Sequence, residues 1–414
     1  MTKPAPAVSR PHGRRPMLGR RTDEAHRAAT PLELLYDLTI VVAFSISGSQ
    51  AAHALAAGHV ASAIVAFLFS VFAIVWAWIN FTWFASAFDN DDWVMRLATL
   101  VQMVGVIVLS LGLANLYHGF ETWHLHNEVM VAGYVVMRAS MVFLWLRAAR
   151  HNPDQAPQLR LFAIFIAIAQ CGWILTAGST LPWPALLPIL VVLYAVEMGG
   201  VVFAERRSGG TPWHPEHVAE RYSLLVIISL GEIILGTTIA VEALIDRTDW
   251  SVDAALIAAA GISLAFGMWW TYFAMPFAEV LQKRPERGFG FGYGHLPLYG
   301  AIAAVGTGLH VAAYYIEGES TLSEPAVMLS MALPVTAFIL IFFAIARWML
   351  PGRDRFHGVL IAASLTVIVA AVVLAWTSVP LGVSLTMLML APWITVLGYE
   401  LRGHRHVDEV LAHL

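Results

Sequence analysis

Apolar residues in this chain come in runs of about twenty, and each run is closed by charged, proline or glycine residues. At 1.5 Å of rise per residue, such a run crosses a hydrocarbon layer of roughly 30 Å as a single helix. The pattern predicts helices near 32–57, 61–88, 93–115, 128–147, 160–178, 184–205, 218–241, 252–279, 292–315, 325–348, 356–377 and 380–400. The fold class expected is all-α, a polytopic transmembrane helical bundle of about 12 helices. Connections are short, so no soluble domain is expected between helices. Residues 1–30 are rich in Pro and Arg and carry no apolar run; they are expected to be a disordered basic cytoplasmic tail, not a cleavable signal peptide.

Composition agrees. Hydrophobic residues make up 58% of the 414 and charged residues 13%, against roughly 25% charged in an average soluble domain. So few charges could not cover a soluble surface. Cys171 is the one cysteine, which excludes an intramolecular disulfide and a Cys-rich metal site. The formal charge of −4 says little, because the charges cluster at the ends of the apolar runs.

Orientation follows from the basic residues. With the N-terminus inside, 22 of the 24 Lys and Arg fall in the tail or in inner segments, leaving Arg247 outside and Arg138 within a helix. The positive-inside rule therefore places both termini in the cytoplasm and the chain in the inner (cytoplasmic) membrane.

The two halves resemble one another. Glu33-Leu-Leu-Tyr-Asp-Leu opens helix 1 much as Glu220-Arg-Tyr-Ser-Leu-Leu opens helix 7, and Trp76-Ala-Trp-Ile-Asn-Phe in helix 2 matches Trp269-Trp-Thr-Tyr-Phe in helix 8. The offset of about 190 residues pairs helices 1–6 with 7–12. Because six is even, the repeats are expected to be parallel. The expected domains are the tail 1–30, a first six-helix repeat 31–207, a second 208–402, and a cytoplasmic tail 403–414.

Three motifs carry a family resemblance. The stretch from Glu33 to Phe44, ELLYDLTIVVAF, resembles the opening signature of the bacterial low temperature requirement A (LtrA) proteins. The stretch WAWINFTWFASAFDNDD, Trp76 to Asp92, resembles that family's Trp-rich second helix with its acidic exit. His217-Val-Ala-Glu-Arg-Tyr, followed by Leu230-Gly-Glu232, resembles its mid-chain signature. Leu35, Tyr36 and Asn90 depart from the usual pattern. The resemblance implies an integral membrane protein of a family named for growth at low temperature, which would make it a stress-response protein, and it implies no particular activity.

Candidate chemistry lies where polar residues stand in lipid-length helices. A charge at mid-membrane costs at least ~2.5–3.5 kcal/mol, so such groups usually face the interior and pair. Arg138 is nine residues from Arg147, Glu197 nine from Arg206, Glu232 eleven from Arg221 and Asn80 nine from Asp89. Each count converts to a depth of roughly 14–16 Å. One arginine and two glutamates at one level predict a buried cluster with one carboxylate left over, which would hold a proton or attract a cation. The bland alternative is one helix bridge, with the second glutamate neutral. Asp37, about two turns into helix 1, is a further candidate for the pocket. Glu33, His217, Glu220, Arg221, Asp89 and Asp92 form a candidate cytoplasmic gate, in which Glu220 could bridge to the acidic exit of helix 2; an ordinary interfacial ion pair is the equal alternative. Trp76, Trp78, Trp269 and Trp270 are candidate aromatic lining, for which plain packing is the alternative.

Other features add little. His118, His124, His126, His404 and His406 lack a recognised ligand spacing, so no metal and no cofactor are expected. The run Gly288, Gly290, Gly292 and Gly294 is no phosphate loop and is expected to be a flexible helix start. No basic surface domain suits nucleic acid. Partners are expected to be membrane lipids and an unknown small solute, proton or cation. Transport coupled to a proton or ion leads among the function classes. The alternatives are an intramembrane enzyme acting on a lipid or lipid-linked substrate, and a structural stress-adaptation protein without substrate.

Overall fold

A computed structural model describes residues 13, 15–20, 27–207, 209–350, 355–377 and 379–413. Among these the secondary structure is entirely helical. Twelve helices are long and apolar enough to cross a membrane: α1 Pro31–Ala56, α2 Val60–Phe88, α3 Trp93–Glu121, α4 Glu128–His151, α5 Pro153–Thr176 and α6 Trp183–Glu205. They continue with α7 Pro215–Thr248, α8 Val252–Lys283, α9 Pro285–Glu317, α10 Glu324–Met349, α11 Arg355–Leu374 and α12 Leu381–Gly403. A short helix, α13, follows at His404–Ala412. The chain is an all-α polytopic bundle. Twelve crossings bring it back to the face from which it started, termed below the basic face.

Polar signals set the helix ends. Thr30 and Glu33 form a capping box at the start of α1: Glu33 N–H donates to Thr30 Oγ1 at 3.3 Å, and Thr30 N–H donates to Glu33 Oε2 at 2.8 Å. Asp92 caps α3 by accepting from Met95 N–H at 2.9 Å. Several helices outrun the apolar pattern, α3 and α7 among them. α3 continues past Gly112 to Glu121, because Leu113, Leu116 and Tyr117 turn into the core. α7 extends beyond 218–241 at both ends, since Glu242, Asp246 and Arg247 continue the helix outside the apolar layer.

The interior is organised around α9, the most enclosed helix, which packs against α1, α2, α7 and α10. α1 also touches α2, α3 and α7, so α1, α7 and α9 join the two halves of the chain. Close approach depends on small residues, as expected where lipid gives helices no hydrophobic reason to associate. Gly306 on α9 sits against the backbone of α7; a Cβ there would lie 2.5 Å from Glu232 O. Gly105 on α3 and Gly133 on α4 meet in the same manner. The alternating glycines at the start of α9 are packing sites and not a flexible segment. A Cβ at Gly288 would come within 3.1 Å of the rings of Trp83 and Trp213, and one at Gly292 within 3.3 Å of Trp83.

Part of the tail is ordered. Arg15 N–H donates to Asp92 Oδ2 at 3.1 Å, Gly19 N–H to Asn152 Oδ1 at 2.9 Å, and Arg20 Nη2 to Asp89 O at 2.8 Å. Residues 15–20 thus lie across the basic-face ends of α2 and α4, where the sequence alone suggested disorder. The remaining tail residues, apart from 13 and 27–30, lie outside the described residues.

Two outcomes follow. Gly306→Ala should destabilise the protein by about 1–3 kcal/mol in a thermal unfolding series, because α7 backbone must move. In a Cys171→Ser background, Thr122→Cys and Glu319→Cys should react with an impermeant thiol reagent from one face and Arg207→Cys from the other. Labelling of all three from one side would overturn the helix count.

Candidate functional site

Hydrocarbon offers a buried charge no solvation, so each ionisable group inside the bundle can be traced to what satisfies it. Glu197 on α6 is the most fully satisfied. Its Oε2 accepts from Arg138 Nη2 on α4 and from Trp76 Nε1 on α2, both at 2.9 Å. Its Oε1 accepts from Tyr134 Oη at 3.1 Å, Gln170 Nε2 at 3.1 Å and Trp173 Nε1 at 3.3 Å. One carboxylate therefore ties together α2, α4, α5 and α6. Arg138 is less well served: its Nε and Nη1 are buried with no hydrogen-bond partner, as is the Tyr36 hydroxyl.

A second node joins α1 to α7. Arg221 grips Asp37 with both arms, Nη1 to Oδ2 at 2.8 Å and Nη2 to Oδ1 at 2.7 Å, the bidentate geometry that suits guanidinium and carboxylate. Trp78 Nε1 adds a hydrogen bond of 2.6 Å to Asp37 Oδ1. One turn nearer the basic face, His217 Nε2 lies 3.3 Å from Glu33. Acids four residues apart on α1 thus face bases four residues apart on α7, a spacing that puts each set on one helical face. The node extends through aromatic neighbours. Tyr222 Oη accepts from Trp83 Nε1 at 2.9 Å, Tyr299 Oη donates to Tyr222 O at 2.9 Å, and Tyr272 Oη lies 2.9 Å from His295 Nε2.

Glu232 stands apart from both nodes. Ser45 on α1 is a polar neighbour of its carboxyl, and among the described residues it has no ion pair. The seam between α7 and α9 brings Gly236, one turn further on, against His310, whose Nε2 is buried without a partner. The expected single-level cluster of Arg138, Glu197 and Glu232 is therefore not what the structure holds: Arg138 pairs with Glu197 alone. The depth of Glu232 was counted from Arg221 as though that residue marked the surface. Arg221 is itself buried six residues into α7, roughly 9 Å along the helix, so Glu232 lies correspondingly deeper. Asn80 donates from Nδ2 to Trp76 O at 2.8 Å and does not reach a carboxylate.

The candidate gate residues divide into three settings. Glu33, His217 and Arg221 belong to the α1–α7 node. Glu220 accepts from Ala29 N–H at 3.1 Å; it does not bridge to the exit of helix 2, where Asp89 and Asp92 carry its own sign. Those two aspartates have basic partners instead. Arg27 Nη2 lies 3.6 Å from Asp89 Oδ2, and Arg147 holds both oxygens of Asp92, Nη1 to Oδ1 at 3.0 Å and Nη2 to Oδ2. Burial pushes the Asp89 carboxyl up, and Glu33 adds to that push. Burial acts the same way on Asp92, but the Arg147 hydrogen bond and the backbone N–H groups of Met95 and Arg15 outweigh it and hold that carboxyl below its ordinary range.

The tryptophans also divide. Trp76 and Trp78 are fully buried and hydrogen-bonded to the two carboxylate nodes. Trp269 is on the outer surface, and Trp270 donates to Glu400 at 3.2 Å near the basic-face end of α12. Neither lines an interior site. Tyr134, Gln170, Trp173 and Ser45 were not singled out from sequence. Tyr134 lies one turn from Arg138 on the same face of α4, and that i, i+4 polar pair was the available signal. Among the described residues no three of His, Cys, Asp and Glu converge in a way that could hold a metal ion.

The asymmetry at Glu197 has a measurable consequence. Arg138→Met leaves Glu197 with four neutral donors, whereas Glu197→Gln strands a guanidinium that already lacks partners. Removing one member of a buried pair costs about 3–5 kcal/mol. Glu197→Gln should fall in that range and Arg138→Met below it, by thermal unfolding in micelles. The double variant should recover much of the loss.

Comparisons with known proteins agree with the architecture. An uncharacterized protein of Rhizobium meliloti (strain 1021) is 28% identical over 304 residues, which is 69% of either chain. No solved structure matches the chain. Residues 28–392 match the family described as bacterial low temperature requirement A protein, a span that takes in both carboxylate nodes and Glu232. The chain belongs to the LtrA family of membrane proteins.

Proposed function

We propose that this LtrA family protein is a carrier of the inner (cytoplasmic) membrane, with both termini in the cytoplasm. It moves a small solute in exchange or symport with a proton or cation taken up at Glu232. The observation behind this reading is the pairing of the span carboxylates. Glu33, Asp37 and Glu197 each face a base, while Glu232, deep in α7, has no ion-pair partner among the described residues. A carboxylate in that setting is a binding group for a proton or cation, and intramembrane acids of this kind mark ion pathways.

In this reading the Arg138–Glu197 node is a brace that fixes helices of one rigid group, while the Arg221–Asp37 node joins the two halves. Movement would occur along the seam of α1, α7 and α9, where Glu232, Ser45 and His310 lie. Two parallel six-helix repeats would supply the two bodies that rock. The α1–α7 ion pairs would then hold one state of the cycle closed at the basic face. A lipid-side groove of about 630 Å³ runs between α2 and α10, over α9. Its lining contains no acid and no histidine, so it lends the enzymatic alternative no support.

The test is ion movement in vesicles reconstituted with the purified protein and loaded with a pH-sensitive dye or a radioactive monovalent cation. Glu232→Gln should fold normally and reduce proton or cation flux at least about tenfold. Flux equal to that of the unaltered protein would sink the assignment of Glu232.

A further inference from the structure

Near the basic face, between α2, α4, α6 and α9, lies a cavity of about 40 Å³ walled chiefly by aromatic rings. By the same measure one water needs roughly 10–15 Å³, so the space suits a group of about three water molecules in size. Four of its rings form a connected chain. Trp76 and Tyr293 meet edge to face at 5.3 Å, Tyr293 and Phe289 at 5.8 Å, and Phe289 stacks on Trp83 at 6.3 Å.

The polar handles of these rings are used elsewhere. Trp76 Nε1 donates to Glu197, Trp83 Nε1 to Tyr222 Oη, and Tyr293 Oη to Met198 O. These four rings therefore offer the cavity no hydrogen-bonding group of their own; Trp145, which also lines it, has a buried Nε1 without a partner. Asn80 also lines it, with Nδ2 donating to Trp76 O. Glu205, the last residue of α6, is the one charged residue in the lining. Its carboxylate is held in place by Thr211, whose N–H and Oγ1 donate to Oε1 at 2.8 and 2.9 Å.

Aromatic faces around a single carboxylate attract cations, and desolvated alkylammonium groups most of all. No basic residue lines the cavity to bind an anion. We propose that this cavity is a binding site for a small alkylated ammonium group, enclosed by Trp76, Trp83, Phe289 and Tyr293 with Glu205 as its counter-charge. Glycines make the enclosure possible: a side chain at Gly288 or Gly292 would press on Trp83. The ammonium can be a free solute or a lipid headgroup, since Glu205 and Thr211 sit where α6 leaves the bundle. The site stands independently of the coupling reading, because Glu232 does not line it.

The experiment is calorimetric titration of the purified full chain, in nanodiscs of phosphatidylglycerol alone, with tetramethylammonium chloride against potassium chloride at equal ionic strength. Saturable binding of tetramethylammonium with no matching potassium signal is expected. Glu205→Gln should weaken it at least about tenfold. Phe289→Leu, at a half-buried position that tolerates change, should weaken it roughly threefold to thirtyfold, while Phe289→Tyr retains it. Nanodiscs containing phosphatidylcholine should compete if the natural ligand is a headgroup and leave binding unchanged if it is a free solute. Absence of saturable binding, equal response to potassium, or binding indifferent to both Glu205→Gln and Phe289→Leu would overturn the proposal.

Discussion

A carboxylate inside a lipid-embedded bundle must be answered by a cation, a proton or a dense set of hydrogen-bond donors, and this requirement orders the structure described above. Glu197 is answered by an arginine and four neutral donors, and through them it gathers α2, α4, α5 and α6. Asp37 is answered by a bidentate arginine, and through it α1 is fastened to α7 across the two halves of the chain. Packing alone would not specify these neighbours, because lipid tails are as apolar as the helices they surround. The nodes give α1, α2, α4, α5, α6 and α7 their partners and register; the glycines at the seams then allow close approach.

The same requirement separates braces from the site where ions can bind. Arg138 was the natural partner for either glutamate until the geometry placed it on Glu197. Once it is there, Glu232 is left without an ion-pair partner among the described residues, in the seam between the two halves. A buried ion pair contributes little net stability but is costly to break on one side, which suits a fixed brace. An unmatched carboxylate suits reversible binding.

Much of this was legible in the sequence, and the rest failed for identifiable reasons. The helices were readable because lipid demands apolar runs of a set length, and the family motifs fell on the residues of the α1–α7 node. Helix neighbours were not, because a single sequence does not say which face meets which: the partnership of Glu197 with Gln170 and Trp173 needs the α5–α6 contact. A depth counted from Arg221 does not hold for Glu232, because Arg221 is itself interior. The glycine run at 288–294 was read as flexibility because glycine's missing side chain and its backbone freedom look alike in a sequence. The rings of Trp83, Trp213 and Trp348 against it show that the missing side chain is what counts.

The span carboxylates differ in kind, and unfolding of Asp37→Asn, Glu197→Gln and Glu232→Gln under one set of conditions in micelles reads out the difference. The first two, each stranding a buried arginine, should lose about 3–5 kcal/mol, while Glu232→Gln should stay within about 1 kcal/mol of the parent because no cation is left behind. Equal destabilisation by all three, or a neutral effect at Asp37 and Glu197, would contradict it.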